Sequence, residues 1–284
     1  MRIRKFLTNS VVHIVLAAMS FIWILPIVFA LLTSFRAESG SVKSYIIPKQ
    51  FTFANYTELF RVSVGGLTYA RWFANTLVIA IITCVLSAFF ILSVSYALSR
   101  MRFRMRKPFM NLALILGMFP GFMSMIAVYY ILKGFGFLET GFSSLFALVL
   151  VYSGGAGLGF YITKGFFDTV PKSLDEAAYI DGCTNWQVFT KITLPLSKPI
   201  AVYTLITSFM GPWTDFIFAK VILGQNREYY TIAIGLWTML EREFIETYYT
   251  QFFAGCVLIS VPISVLFLVT QKFYSDCMAG AVKG

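Results

Sequence analysis

One stretch of this chain spaces its residues as a contact surface would. It reads Glu176-Ala177-Ala178, three residues, Gly182, nine residues, then Ile192, Thr193, Leu194 and Pro195. Fixed spacing of small, acidic and turn residues is what a gripped surface needs, so the chemistry they offer is docking. Ala177 and Ala178 are small and admit another surface closely. Glu176 sits where negative charge favours a helix dipole and can meet a basic partner. Gly182 permits a sharp turn, and Leu194-Pro195 would tie the stretch to the apolar segment that follows. The plainer reading is an amphipathic loop lying on lipid with no partner. Seven specified positions in one polar loop favour docking.

Other reactive candidates are sparse. Asp215 is the one acid inside a long apolar segment, and an intramembrane carboxylate is a functional candidate by default. It is read as an outer-gate or structural polar contact, paired with Lys220 or with a partner at the outer face. A proton relay would need further buried acids. His13 is the single histidine and has no companion ligand, so no metal site is expected. Cys84, Cys183, Cys256 and Cys277 form no CxxC pair. Tyr129, Tyr130 and Trp213 can stack on a sugar, but among 30 Phe and 15 Tyr each is read as packing.

The elements that must carry these residues follow from composition. The chain is 58% hydrophobic and 13% charged, with mean hydropathy +0.76. A soluble domain carries about 25% charge, so lipid is the main solvent. Six apolar stretches, at about 11–33, 72–98, 109–132, 143–167, 196–222 and 252–273, have the ~20 residues that a bilayer core of ~30 Å requires. None alternates as a barrel strand would. They are expected to be helices, because a backbone in lipid must satisfy its own hydrogen bonds. The chain thus reads as an all-α integral membrane protein, one domain over 1–284.

Net charge is +10, and the basic residues lie where the positive-inside rule wants them. With the N-terminus inside, inner segments hold fourteen Lys/Arg and outer loops nine. Arg100, Arg102, Arg104, Arg106 and Lys107 supply most of that difference. Both termini are then cytoplasmic, and no nucleic-acid role is implied. The first span is too long for a signal peptide and lacks a convincing cleavage site.

Between the spans, 34–71 is expected to be partly structured, 133–142 a tight connection, and 224–251 a short amphipathic surface helix. Pro26, Pro120, Pro212 and Pro262 are read as ordinary membrane-helix packing. Gly155 and Gly159 form a GxxxG pair suited to close helix approach. The polar loop 168–195 is expected to be two short helices. Ser173/Glu176 and Thr184/Gln187 both have capping-box spacing. Gly182 falls where the first helix would end left-handed. Pro195 is expected to stop the second.

On these residues the chain resembles the permease subunits of ATP-binding-cassette importers fed by an extracytoplasmic binding protein. The loop matches their EAA motif at Glu176, Ala177, Ala178, Gly182, Ile192, Leu194 and Pro195. Asn75-Thr76-Leu77, Tyr96-Ala97-Leu98-Ser99-Arg100, Met118-Phe119-Pro120 and the ending Ala279-Gly280-Ala281-Val282-Lys283-Gly284 resemble the carbohydrate branch, in particular the shorter maltose/maltodextrin-type permease. The resemblance implies a six-helix type I importer bundle whose loop is a coupling helix. It implies pairing with a second, related permease, two cytoplasmic ATPases and an extracytoplasmic sugar-binding protein, all in membrane lipid. ATP and Mg would be bound by the ATPases, with no cofactor in this chain, which has no Walker A sequence. No sugar-binding residue is carried over, since in maltose systems the principal site lies on the larger permease.

Asp276-Cys277-Met278 departs from the family pattern near the end, and Cys183 stands where alanine is common. The substrate implied is maltose or maltodextrin, with galacto-oligosaccharides as an alternative. From other classes, an ion-coupled carrier would rely on Asp215. A membrane-embedded enzyme lacks any nucleophile or paired-acid motif.

Overall fold

The computed structural model describes the backbone of residues 2–41, 43–61, 63–64, 67–119, 121–154 and 159–281. Side chains are described for these except at 2–11, 64, 67 and 272–281. In chain order the elements are α1 (Arg2–Ser34), α2 (Ala54–Arg61), β1 (Ser63–Val64), β2 (Leu67–Thr68), α3 (Tyr69–Arg100), α4 (Arg106–Gly117), α5 (Gly121–Gly134), α6 (Gly141–Gly154), α7 (Gly159–Thr169), α8 (Lys172–Ile180) and α9 (Asn185–Val188). A π-turn (Phe189–Thr193) leads into α10 (Leu194–Leu196), α11 (Lys198–Thr214) and α12 (Ile217–Leu223). A 3-10 turn (Arg227–Tyr229), α13 (Ile232–Met239) and α14 (Ile245–Ala281) complete the chain. Among the described residues the protein is all-α apart from one antiparallel hairpin, in which Ser63 faces Thr68.

Among the described residues four segments are long and apolar enough to cross a membrane: Val12–Ser34, Tyr69–Arg100, Gly141–Thr169 and Ile245–Gln271. Two further pairs reach six only if each is a bent span. Arg106–Gly117 meets Gly121–Gly134 at 105°, and Asn185–Leu196 meets Lys198–Thr214 at 87°. The stretch 109–132 is therefore two helices. Pro120, at that bend, lies outside the described residues, as do Gly155 of the GxxxG pair and the final residues 282–284. The stretch 196–222 is interrupted at Asp215 and Phe216, three residues after Pro212 in α11.

The chain forms two compact units. One comprises Met1–Tyr69 and Gly235–Val261. Its polar centre is Asn55, whose Nδ2 donates to the Ser34 carbonyl at 2.9 Å and the Arg36 carbonyl at 2.8 Å, while Oδ1 accepts from Thr250 at 2.9 Å. Gly255 is required at its position, because a Cβ there would lie 2.6 Å from Leu236. The outward side of α1 is bare, with Trp23 75% exposed. Such a surface is stable only in an apolar medium or against another protein.

The other unit comprises Ala70–Ile234 and Pro262–Gly284. Early in α3, Asn75 donates to the carbonyls of Glu228 (3.0 Å) and Tyr230 (3.1 Å), and the Thr76 hydroxyl accepts the Ile232 amide at 2.7 Å. These bonds hold 228–232 against α3, with Tyr230, Thr231 and Ile232 buried. No amphipathic surface helix forms in 224–251. In its place α13 is apolar, with Ile232, Ile234, Leu236 and Met239 buried. A helix with so few polar side chains gains nothing from a water-facing side. The 133–142 connection is tight as expected. Gly136 has φ +77, and a Cβ on Gly141 would lie 2.0 Å from the Tyr229 ring.

Candidate docking loop and its anchors

The loop begins with α8. The Ser173/Glu176 capping box does not form: α8 starts earlier, its N-cap is Pro171, and no side chain caps it. Ser173 is thus already inside the first turn. The C-terminus is as expected. Gly182 has φ +83, the Gly182 amide donates to Tyr179 at 3.1 Å, and the Cys183 amide donates to Ala178 at 2.9 Å. This pair of bonds closes a left-handed helix stop that favours glycine.

The second helix opens on the Thr184–Gln187 capping box, with both reciprocal bonds present. Pro195 does not end it. Thr193 and Leu194 stay helical, and the chain turns only at Ser197, with φ −103 and ψ 23. The reason lies in the π-turn ahead of the proline, where the Leu194 amide reaches back to the Phe189 carbonyl. That wider turn relieves the clash that an α-helical carbonyl would meet at the proline ring.

Two faces result. Asp175, Ala178, Val188, Phe189, Thr193 and Ser197 point into the protein and are buried. Glu176, Ala177 and Gly182 are exposed, Ile180 is 86% exposed and Trp186 60%. Ile192 and Leu194 are half-buried and Pro195 is exposed. The motif residues therefore divide. Glu176, Ala177 and Gly182 present a surface, Ala178 lies beneath it, and Leu194 packs on a core of Tyr96, Phe167, Phe189 and Ile200.

The inward face is held by the end of α3. Arg100 Nε lies 3.3 Å from Asp175 Oδ2, with both side chains buried. Its Nη2 donates to the carbonyls of Phe167 and Val170, each at 2.8 Å. Ser99 donates to Asp168 at 2.6 Å, and Lys164 pairs with Asp168 at 2.5 Å. One turn earlier, the Tyr96 hydroxyl donates to the Asn185 carbonyl at 3.1 Å, and its ring sits 4.8 Å from that of Phe189. Burial pushes the Asp175 carboxyl above its ordinary value, while the Arg100 charge pulls it down. Sequence reasoning missed these anchors. Their signal was the Tyr96–Arg100 stretch and an acid directly before Glu176, but no spacing rule joins residues so far apart.

Asp215 is placed elsewhere in the same unit. It ends α11, and its carboxylate accepts the amides of Phe218 (3.1 Å) and Ala219 (3.2 Å), which start α12. The Tyr152 hydroxyl donates to it at 2.6 Å. Lys220 is not its partner, because Nζ instead donates to the Tyr230 hydroxyl at 2.7 Å. Trp213 is buried against Phe73 at 5.1 Å and Phe209 at 5.9 Å, so packing occupies its ring faces. Among the described residues no group of three His, Cys, Asp or Glu could hold a metal ion.

Residues 90–276 match the family described as the binding-protein-dependent transport system inner membrane component. The chain belongs to this family. It is the permease subunit of an ABC importer, a transport subunit and not an enzyme. Relatives include the galactooligosaccharides transport system permease protein GanQ of Bacillus subtilis, 35% identical over 100% of this chain and 99% of that protein. The maltodextrin transport system permease protein MalD of Streptococcus pneumoniae is 32% identical over 100% and 98%. A crystal structure of a bacterial ABC transporter that imports the acidic polysaccharide alginate superposes with a TM-score of 0.77 at 20% identity, covering 94% of this chain and 96% of that one. The permease thus has the type I importer fold, and the loop 168–195 falls inside the matched region.

Proposed function

We propose that this permease is the translocation-pathway subunit of an ATP-driven importer of linear oligosaccharides, delivered by an extracytoplasmic binding protein. One observation carries the reading. The loop keeps Glu176, Ala177, Gly182, Ile180 and Trp186 outward on a hairpin clamped from beneath by Arg100 and Tyr96. Large apolar side chains on a rigid polar loop call for a protein partner.

Two cytoplasmic ATPases, which bind ATP and Mg, are the partners whose closure moves the docked loops. A second, related permease completes the membrane pathway. Both termini and the loop face the cytoplasm, where the basic residues concentrate. This chain binds no nucleotide. Its residues transmit displacement between two states of the membrane helices. Asp215 caps a helix break and acts as a structural polar contact near the outer side.

The relatives' names favour maltodextrins or galacto-oligosaccharides as cargo. Both are neutral, hydroxyl-rich chains that need a polar path through the membrane.

Co-purification tests the reading. Glu176→Lys combined with Ala177→Glu places a like charge and bulk on the outward face. The ATPases should then be lost while membrane insertion persists. Unchanged co-purification and transport would overturn the docking role. Calorimetry of the cognate binding protein against a panel of maltodextrins and galacto-oligosaccharides assigns the cargo.

A further inference from the structure

We infer that Arg100 and Asp175 make α3 a third output of the docking loop, beside α7 and α11, so that displacement of the loop moves three membrane helices together. This rests on the proposed docking role. The loop is joined covalently to α7 through residues 170 and 171, and to α11 through α10 and the 87° turn at Ser197. Its link to α3 is wholly non-covalent and is concentrated at one end of that helix.

The geometry is that of a clamp. Asp175 and Glu176 are adjacent, yet one is buried and the other exposed. A load arriving at Glu176 therefore meets Arg100 through the next residue. The Arg100 guanidinium holds three places at once: Asp175 in the first turn of α8, the Phe167 carbonyl in α7, and the Val170 carbonyl just beyond it. The two Nη2 hydrogen bonds orient the planar guanidinium and the Nε–Asp175 contact pairs its charge, so it cannot slide without leaving a buried charge unpaired. Tyr96 makes the second grip, on Asn185 at the start of α9. Both arms of the hairpin are thus tied to the same helix, a turn apart.

Stability alone does not explain an ion pair here. Its two side chains are 3% and 7% exposed, and a buried pair is seldom more stabilising than apolar packing of the same volume. What it does supply is a fixed register between two elements. A loop that transmits motion needs that register, because an apolar contact would permit slip.

The test uses the assembled transporter, with its partner permease, ATPases and binding protein, in proteoliposomes. The probe is radiolabelled maltotriose, or a galacto-trisaccharide where that is the sugar taken up. The readout is sugar moved per ATP hydrolysed, which a loss of folded protein does not change. Asp175→Asn and Arg100→Lys transporters that retain their ATPases should move about tenfold less sugar per ATP, within the usual span of coupling free energies. Asp175→Glu, which keeps the charge, should recover part of the ratio. Tyr96→Phe removes one hydroxyl and covers the case in which the charge variants fail to fold into the membrane. It should lower the ratio in the same direction. An unchanged ratio in assembled variants overturns the inference. Loss of ATPase co-purification in Asp175→Asn would also overturn it, since the pair would then only shape the docking face. In both cases the docking role stands. That role fails separately if Gly182→Leu transporters keep their ATPases and transport normally.

Discussion

The Cys183 amide donates to the Ala178 carbonyl at 2.9 Å, closing the helix over Gly182. Gly182 has φ +83, and a Cβ there would meet nothing within 4 Å. A side chain at this position is therefore opposed by backbone strain alone, about 1–2 kcal/mol for a left-handed residue. Gly182→Leu should insert in the membrane at wild-type levels but lose ATPase co-purification, because the angle between α8 and α9 shifts. Gly182→Asn, which tolerates the left-handed region, should retain most of it.

Trp186 and Phe189 have rings 5.5 Å apart but opposite environments. Trp186 is 60% exposed and Phe189 5%. Phe189→Ala should cost about 3–5 kcal/mol of stability, as large-to-small core changes do. Trp186→Ala should leave the melting temperature within a degree or two of wild type and weaken ATPase binding. Thermal unfolding and co-purification, measured on both variants, should give opposite patterns.

Asp215 accepts two α12 amides and the Tyr152 hydroxyl. Asp215→Asn keeps an acceptor, so ATP-driven transport should remain substantial. Asp215→Ala removes the cap and should cost about 1–2 kcal/mol. Complete loss of transport in an intact Asp215→Asn complex would promote this residue from structural contact to essential site.

Asn75 and Thr76 hold the segment 228–232 through three hydrogen bonds. Asn75→Ala leaves two carbonyls unpaired and should destabilise by about 1–3 kcal/mol. Faster proteolysis within 224–231 than in wild type would report the loosened segment.

The Asp175 carboxyl is raised by burial, against the pull of Arg100. The folded state then holds this proton more tightly than the unfolded chain. The group's contribution to stability is greatest below the ordinary carboxylate value of about 3.9. It falls as pH rises toward the raised value and is level beyond it. In purified complexes, the melting-temperature difference between wild type and Asp175→Asn should fall from about pH 4 upward and then flatten. A difference that grows with pH would show that the Arg100 charge outweighs burial.

Local features of the loop were legible because their causes are local. The Thr184–Gln187 box spans four residues, and the left-handed turn needs only a glycine after a short amphipathic helix. Ser173/Glu176 had the same spacing and formed no box, since helix starts compete and α8 began before Ser173. The proline rule failed at Pro195 for a related reason: a π-turn absorbed the clash that the rule assumes. Lys220 was one turn from Asp215 in sequence, but the Tyr230 hydroxyl and ring lay closer in space.

What the chain's residues determine unaided is a lipid-embedded helical protein with a two-helix polar loop, because hydropathy, glycine geometry and capping act over a few residues. Tertiary structure alone decided that Arg100 grips Asp175, that Asn75 holds Tyr230 across 155 residues, and that Tyr152 meets Asp215 across 63. A buried polar group takes whichever partner the packed helices bring within reach, and distance along the chain carries no information about that choice.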